Sequence, residues 1–233
     1  MDTWLHLARG PLFEIALIFM ILGLGRQLAL TLWEAGRTYR RAGDKAIPGR
    51  QVVRNTVRWL VPLGRLKNRW PYSVTTLVLH MAVLVVPLFL AGHIALWKQG
   101  VGISWPALPN TLATTLTLGG IAAAVLVLVL RVTSVATRSL NRFQDFALPV
   151  LIAVVFASGF VVMHPAWNPF DRDPVFLVHV LGGDLLLFLV PLTKLSHMIL
   201  LPLTQLVSEL AWHFPPDAGS RVAITLGKEK ESV

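Results

Sequence analysis

"VFLVHVLGGDLLLFLVPLTKLSHMIL" (residues 175–200) is apolar enough for a bilayer, yet it carries His179 and His197. A second such stretch, "LVLHMAVLVVPLFLAGHIAL" (77–96), carries His80 and His93. Ionisable side chains are costly inside a membrane and as a rule serve a function there. Runs of about 18 or more apolar residues read as transmembrane helices. Five such spans are expected, at about 11–33, 73–97, 110–131, 147–164 and 174–204. The expected fold is all-α: an integral membrane bundle of five transmembrane helices, forming a single membrane domain over 1–233.

Composition agrees with a chain whose solvent is lipid. Of 233 residues, 55% are hydrophobic and only 14% charged, where a soluble domain carries roughly 25% charge. The one long polar piece is 34–70. The chain has no cysteine. It therefore forms no disulfide, offers no thiolate to an iron–sulfur cluster and cannot attach haem covalently. Any metal must be held by His, Met or carboxylate. The N-terminus "MDTWLHLARG" has no basic n-region, so the first span is read as retained and not as a signal peptide. The sequence contains no phosphate-binding loop, dinucleotide fingerprint or nucleophile motif.

The formal net charge is +9, unevenly spread. Ten basic residues lie within 34–70: Arg37, Arg40, Arg41, Lys45, Arg50, Arg54, Arg58, Arg65, Lys67 and Arg69. Arg131, Arg138 and Arg142 follow the third span, and Arg221, Lys228 and Lys230 lie in the tail. The opposite side carries Arg9, Lys98 and Arg172. The positive-inside rule places 34–70 as a basic cytoplasmic loop and 206–233 as a cytoplasmic tail, with the N-terminus outside. The loop serves topology and attraction to anionic lipid, or docks a cytoplasmic partner. Nucleic acid is not expected. Within the loop, "GRQVVRNTVRWLVPLGRL" (49–66) predicts an interfacial helix. Val52, Val53, Val57, Leu60 and Val61 would share one face, with Arg50, Arg54 and Arg58 on another.

The histidine spacing carries the chemistry. His179 and His197 are 18 positions apart. On a straight helix that is about five turns, so they would share a face roughly 27 Å apart, near the hydrocarbon thickness. Gly182 and Gly183 follow His179 by three and four positions, leaving room on that face for a flat, bulky group. The second span runs antiparallel, so His93 shares a depth with His179 and His80 with His197. Two imidazoles at each of two depths is what two bis-histidine haems require. Zinc or copper would want three or four ligands at one point. A proton relay through the four histidines is the other reading. His80 and His93 differ by about 220° on an ideal helix, and Pro87 between them can shift that phase.

These residues, with Gly92-His93 on the second span and His179 followed by "PLTKLSH" ending at His197, resemble the membrane cytochrome b (gamma) subunit of respiratory nitrate reductase. Related subunits serve heterodisulfide-reductase-like and sulfite-reduction-associated complexes. The resemblance implies a multi-pass protein of the inner (cytoplasmic) membrane that binds two haems b through His80, His93, His179 and His197. It implies electron exchange between the quinone pool and an iron–sulfur partner beside a cytoplasmic catalytic subunit. The chain would then be an electron-transfer subunit of a quinol-linked oxidoreductase. The competing readings are a membrane anchor with one haem or none, and a small proton-coupled transporter.

Other polar residues have two readings each. Lys98 binds a quinone carbonyl or is a solvated helix end. His164 accepts a quinol proton or is an interfacial histidine. Asp171 and Asp173 cap the fifth span or carry protons outward. Lys194 pairs with a haem propionate or snorkels to headgroups. Asp184 and Glu14 are expected to make hydrogen bonds within the bundle, Arg26 being a candidate partner. Trp105, Trp167 and Trp212 fit an aromatic belt, and Gly119-Gly120 allows close helix packing. The charge asymmetry makes one direct prediction: a fluorescent reporter fused after Val233 should fold and fluoresce in the cytoplasm, and an alkaline phosphatase fused there should stay inactive.

Overall fold

The computed structural model describes residues 1–41, 49–60, 70–211 and 218–227, and among these it is all-helical. The α-helices are α1 (Asp2–Leu7), α2 (Phe13–Arg41), α3 (Gly49–Leu60), α4 (Trp70–Phe89), α5 (Ala91–Val101), α6 (Asn110–Thr133), α7 (Val135–Leu140), α8 (Phe143–Met163), α9 (Arg172–Leu189), α10 (His197–Ala211) and α11 (Ala218–Thr225). A π-turn over Ala8–Leu12, containing Pro11, joins α1 to α2 without a break. Among the described residues four helices are long and apolar enough to cross a membrane: Asp2–Arg40, Trp70–Phe89, Asn110–Thr133 and Phe143–Met163. Lys45, Arg65, Lys67, Arg69, Trp212, Lys228 and Lys230 lie outside the described residues.

Two expected spans are not single helices. The second is interrupted at Leu90, whose backbone is extended (φ −74°, ψ 132°). Pro87 has no N–H to give the preceding turn, and the chain restarts as α5. The freed carbonyls are satisfied locally: Trp105 Nε1 donates to Leu88 O at 2.8 Å and Leu108 N to Phe89 O at 2.9 Å. Trp105 thus closes a helix break, a more specific task than an interfacial belt. The expected fifth span, 174–204, stops at Leu189 and resumes at His197. Pro191 again removes a donor, and Thr193 folds its N–H and hydroxyl back onto Leu189 O at 3.0 and 2.8 Å. The single straight helix that would align His179 with His197 is therefore absent.

The described chain forms two compact units, residues 1–21 with 65–195, and residues 22–64 with 196–233. In the first, α4 packs on α6, α6 on α8, and α8 on α9, while α1 and the π-turn also pack on α9. Small residues set these contacts. A Cβ on Gly120 of α6 would lie 2.8 Å from Ala82 Cβ on α4 and 2.9 Å from the Phe156 ring on α8. Ala82, Ala124 and Val127 are buried around it. In lipid there is no hydrophobic gain between helices, so such van der Waals contact is what holds them. Large apolar side chains such as Ile15, Ile18, Leu118 and Val150 are exposed, as suits a lipid-facing surface.

One ion pair ties three elements at one end. Lys194, just after α9, places Nζ 2.7 Å from both carboxylate oxygens of Asp145 in the first turn of α8. Arg142 N donates to Asp145 Oδ2 at 2.8 Å, and an Arg131 guanidinium N–H from α6 donates to Asp145 O. Asp145 also sits where the positive end of the α8 dipole favours an anion. In the second unit α3 packs on α10. Val52 and Thr56 are buried, and Asn55 Nδ2 donates to Glu209 Oε2 at 3.4 Å. Val53 and Val57 are exposed, so they do not share the packed face with Val52 as the sequence pattern suggested. The packed stripe runs through Val52 and Thr56, four positions apart.

Gly120→Val should force α4, α6 and α8 apart and cost about 1–3 kcal/mol, the usual penalty of overpacking. Gly25→Val, at a position open to 4 Å around, should leave the thermal midpoint in detergent nearly unchanged.

Candidate functional site

The break at Leu90 lets α5 present His93 in its first turn toward α9. The His93 and His179 rings have centroids 5.9 Å apart and planes inclined by 12°. His179 gives its Nδ1–H to the Val155 carbonyl of α8 at 2.9 Å. His93 points Nδ1 at the Val86 carbonyl, at the long distance of 3.4 Å. A carbonyl only accepts, so the proton of each ring belongs on Nδ1 and the Nε2 lone pair is left for a ligand. A hydrogen bond from the far ring nitrogen to a carbonyl is the usual way a metal-binding imidazole is oriented.

Two imidazoles bound to one metal through nitrogens about 2 Å from it would have ring centroids about 6 Å apart, and the centroids here are 5.9 Å apart. Among the described residues no three His, Cys, Asp or Glu side chains gather as a metal site. Two imidazoles are sufficient where a macrocycle supplies the other ligands, as haem does. Gly183 and Gly92 both border open space, with nothing within 4 Å of where a Cβ would stand. Gly182 differs from expectation: a Cβ there would meet Val155 Cγ2 at 2.6 Å. It is a packing residue between α9 and α8, leaving no room for a bulky group.

Gly159 on α8 was not singled out by the sequence pattern. A Cβ at this position would fall 2.7 Å from His179 Cε1 and 2.9 Å from its Nδ1. Its bare backbone lets the imidazole reach the Val155 carbonyl. The only available signal was a glycine within an apolar span, which reads equally as ordinary helix packing.

His80 is half-buried on α4 in the first unit and gives Nδ1–H to Thr76 O at 2.6 Å. It shares the Nδ1-to-carbonyl arrangement of His93 and His179. His197 opens α10 in the second unit and is exposed. Lys194 does not stand free for a propionate or a lipid headgroup, because Asp145 holds it. His164 ends α8 with Nδ1–H on Phe160 O at 2.8 Å, its ring stacked on Phe160 at 4.2 Å. Asp171 occupies the N-cap position of α9 but makes no side-chain cap bond. Lys98 is exposed in the last turn of α5, which ends at Gly102 with φ +75°. No described hydrogen bond or ring contact joins Lys98, His164 and Asp171 to one another. Asp184 makes none of the bundle hydrogen bonds expected of it, its Oδ2 being buried without a partner, and Glu14 is exposed.

Fold and site together describe a multi-pass, all-helical membrane protein with a half-buried imidazole pair. No protein-family model matches the sequence and no solved structure matches it. A protein of Nitratidesulfovibrio vulgaris (strain Hildenborough), carrying no more specific name than "Protein", is 33% identical over 200 residues. The match covers 82% of this chain and 85% of that one. The chain belongs to the same family as that protein.

Gly159→Val should displace the His179 ring from the Val155 carbonyl. Gly25→Val, which meets nothing within 4 Å, should not. Both are read from the His179 ring signals in NMR spectra of the histidine-labelled chain in detergent.

Proposed function

We propose that this chain is the di-haem cytochrome b membrane subunit of a respiratory complex in the cell's inner (cytoplasmic) membrane. It exchanges electrons between the quinone pool and a cytoplasmic iron–sulfur partner that serves a catalytic subunit. The observation that carries this reading is the His93–His179 pair, near-parallel rings with centroids 5.9 Å apart, the His179 Nδ1 bonded to a backbone carbonyl. Haem b, when bound, supplies a one-electron carrier. His93 and His179 would hold one haem at the outer level, and His80 and His197 are the candidates to hold the second. The absence of cysteine from the whole chain supports placing iron–sulfur clusters in a partner.

In this reading α9 completes a fifth crossing, with the N-terminus outside and the C-terminus in the cytoplasm. The backbone carbonyls of Val155 and Val86 hold the two imidazoles in the tautomer that leaves Nε2 basic. The α8 backbone at Val155 and Gly159 lies against the His179 ring. His164, Lys98 and Asp171 are the candidates to bind quinone and to pass its protons to the outer surface. The ion pair of Lys194 with Asp145 fixes the far end of α9, which keeps His179 at its depth.

A single-haem form is the second reading, and the interruption between Leu189 and His197 favours it. Without a continuous helix the spacing that paired His197 with His80 no longer argues for a second site. Haem per chain, measured on the full chain purified in mild detergent, separates the readings. Two are expected. His93→Ala and His179→Ala should each remove the same one, and His80→Ala and His197→Ala the other. One haem that survives both inner substitutions would reduce the assignment to His93 and His179. None, from fresh membranes, would leave an anchor subunit or a proton-coupled transporter.

A further inference from the structure

Among the described residues two carboxyl groups are buried, and they are held differently. Asp145, 7% exposed, is held by Lys194 on both oxygens and by Arg142 N. Asp184, 5% exposed, makes no hydrogen bond or ion pair with any described residue, and its Oδ2 is fully buried. An acid with no partner at such a depth is a functional candidate by default.

Its surroundings follow from the face it occupies. Phe176, Val180, Asp184 and Phe188 recur every four positions and form one stripe on α9. Arg9 lies 5.4 Å over the Phe176 ring, and Phe188 stacks on Phe19 at 3.9 Å, so the stripe faces the N-terminal helix. Val180 is buried, as are Ala8, Ala16 and Leu17 on the N-terminal helix. This is an apolar seam. An ionised carboxylate there has lost its water and gained no counter-charge, whereas the neutral acid loses far less.

The charged and titratable groups that border α9 do not replace a counter-ion. α1 carries Asp2 and His6, the π-turn carries Arg9, α2 up to Ile21 carries Glu14, and α8 carries Asp145, while Arg26 further along α2 is exposed. Asp2, His6 and Glu14 are exposed, and Asp145 is tied to Lys194. Arg9 lies at Phe176, about two turns before Asp184. On α9 itself, Arg172 and Asp173 occupy the first turn, and His179 is engaged with Val155 O and the His93 ring. His93, on α5, faces His179.

We propose that Asp184 is a proton-binding site inside the bundle, taking up a proton when negative charge arrives at the His93–His179 site and releasing it when that charge leaves. Asp184 lies five residues past His179, about 7.5 Å along the helix axis. At that range and in a low dielectric, one unit of charge bears strongly on a carboxyl. The step is a simple proton transfer: a proton from solvent joins a carboxylate oxygen to give the acid, and the reverse returns it. The coupling half rests on the haem reading above, while the proton site itself does not.

Infrared spectroscopy on the full chain in lipid tests both halves. The wild-type minus Asp184→Asn spectrum should show one carboxylic acid C=O band that shifts in D2O. Asp184→Glu should restore such a band at a changed frequency, which separates loss of the acid from loss of the fold. A difference spectrum with carboxylate bands alone would overturn the site. Dithionite reduction should increase the acid band in a sample whose haem content has been measured. An unchanged band in a haem-replete sample would overturn the coupling. A haem-free sample that still shows the acid band would fail the haem reading and keep the proton site.

Discussion

In hydrocarbon no water is available to a stray N–H or C=O, so every interruption of a helix must be repaired by the protein itself. Among the described residues the apolar segments are interrupted at Leu90 and between Leu189 and His197, and both breaks are repaired. The Trp105 indole and the Leu108 amide satisfy the carbonyls of Leu88 and Phe89. Thr193 satisfies the carbonyl of Leu189 twice over. The first repair also aims α5. With α4 running on unbroken, His93 would keep the phase of a regular helix. With the break, its ring lies beside that of His179.

Close approach of helices is the second requirement, and glycine provides it at three levels. Gly120 lets α6 touch α4 and α8, Gly182 lets α9 accept Val155 from α8, and Gly159 lets the His179 ring rest against the α8 backbone. The last links packing to chemistry. The same contact that brings α9 to α8 supplies the carbonyl that fixes the imidazole tautomer. A site built this way sits on rigid elements, with no loop holding either ring.

Polar groups in the bundle divide by whether they are answered. Asp145 is surrounded by donors from α6, α8 and the turn after α9, and it acts as a clasp. The Lys194 head is half exposed, so solvent screens part of the attraction and geometry matters more than charge. Asp184 has no such company. The contrast between the two acids, one satisfied and one bare, is the reason the second is assigned a proton and not a structural bond.

Sequence alone determined the class and the candidates. Long apolar runs demand helices whatever their packing, because only a helix satisfies its own backbone in lipid. The placement of four histidines within two such runs named the chemistry to look for. Periodicity stops carrying where a proline intervenes: past Pro87 and Pro191 the angle per residue is no longer that of one helix, so counting alone assigns no face to His93 or His197. Partners across helices were equally out of reach. Lys194 with Asp145, Gly159 with His179 and the solitude of Asp184 depend on which helices are neighbours, and that follows from side-chain shape at their contacts, which only the tertiary structure decided.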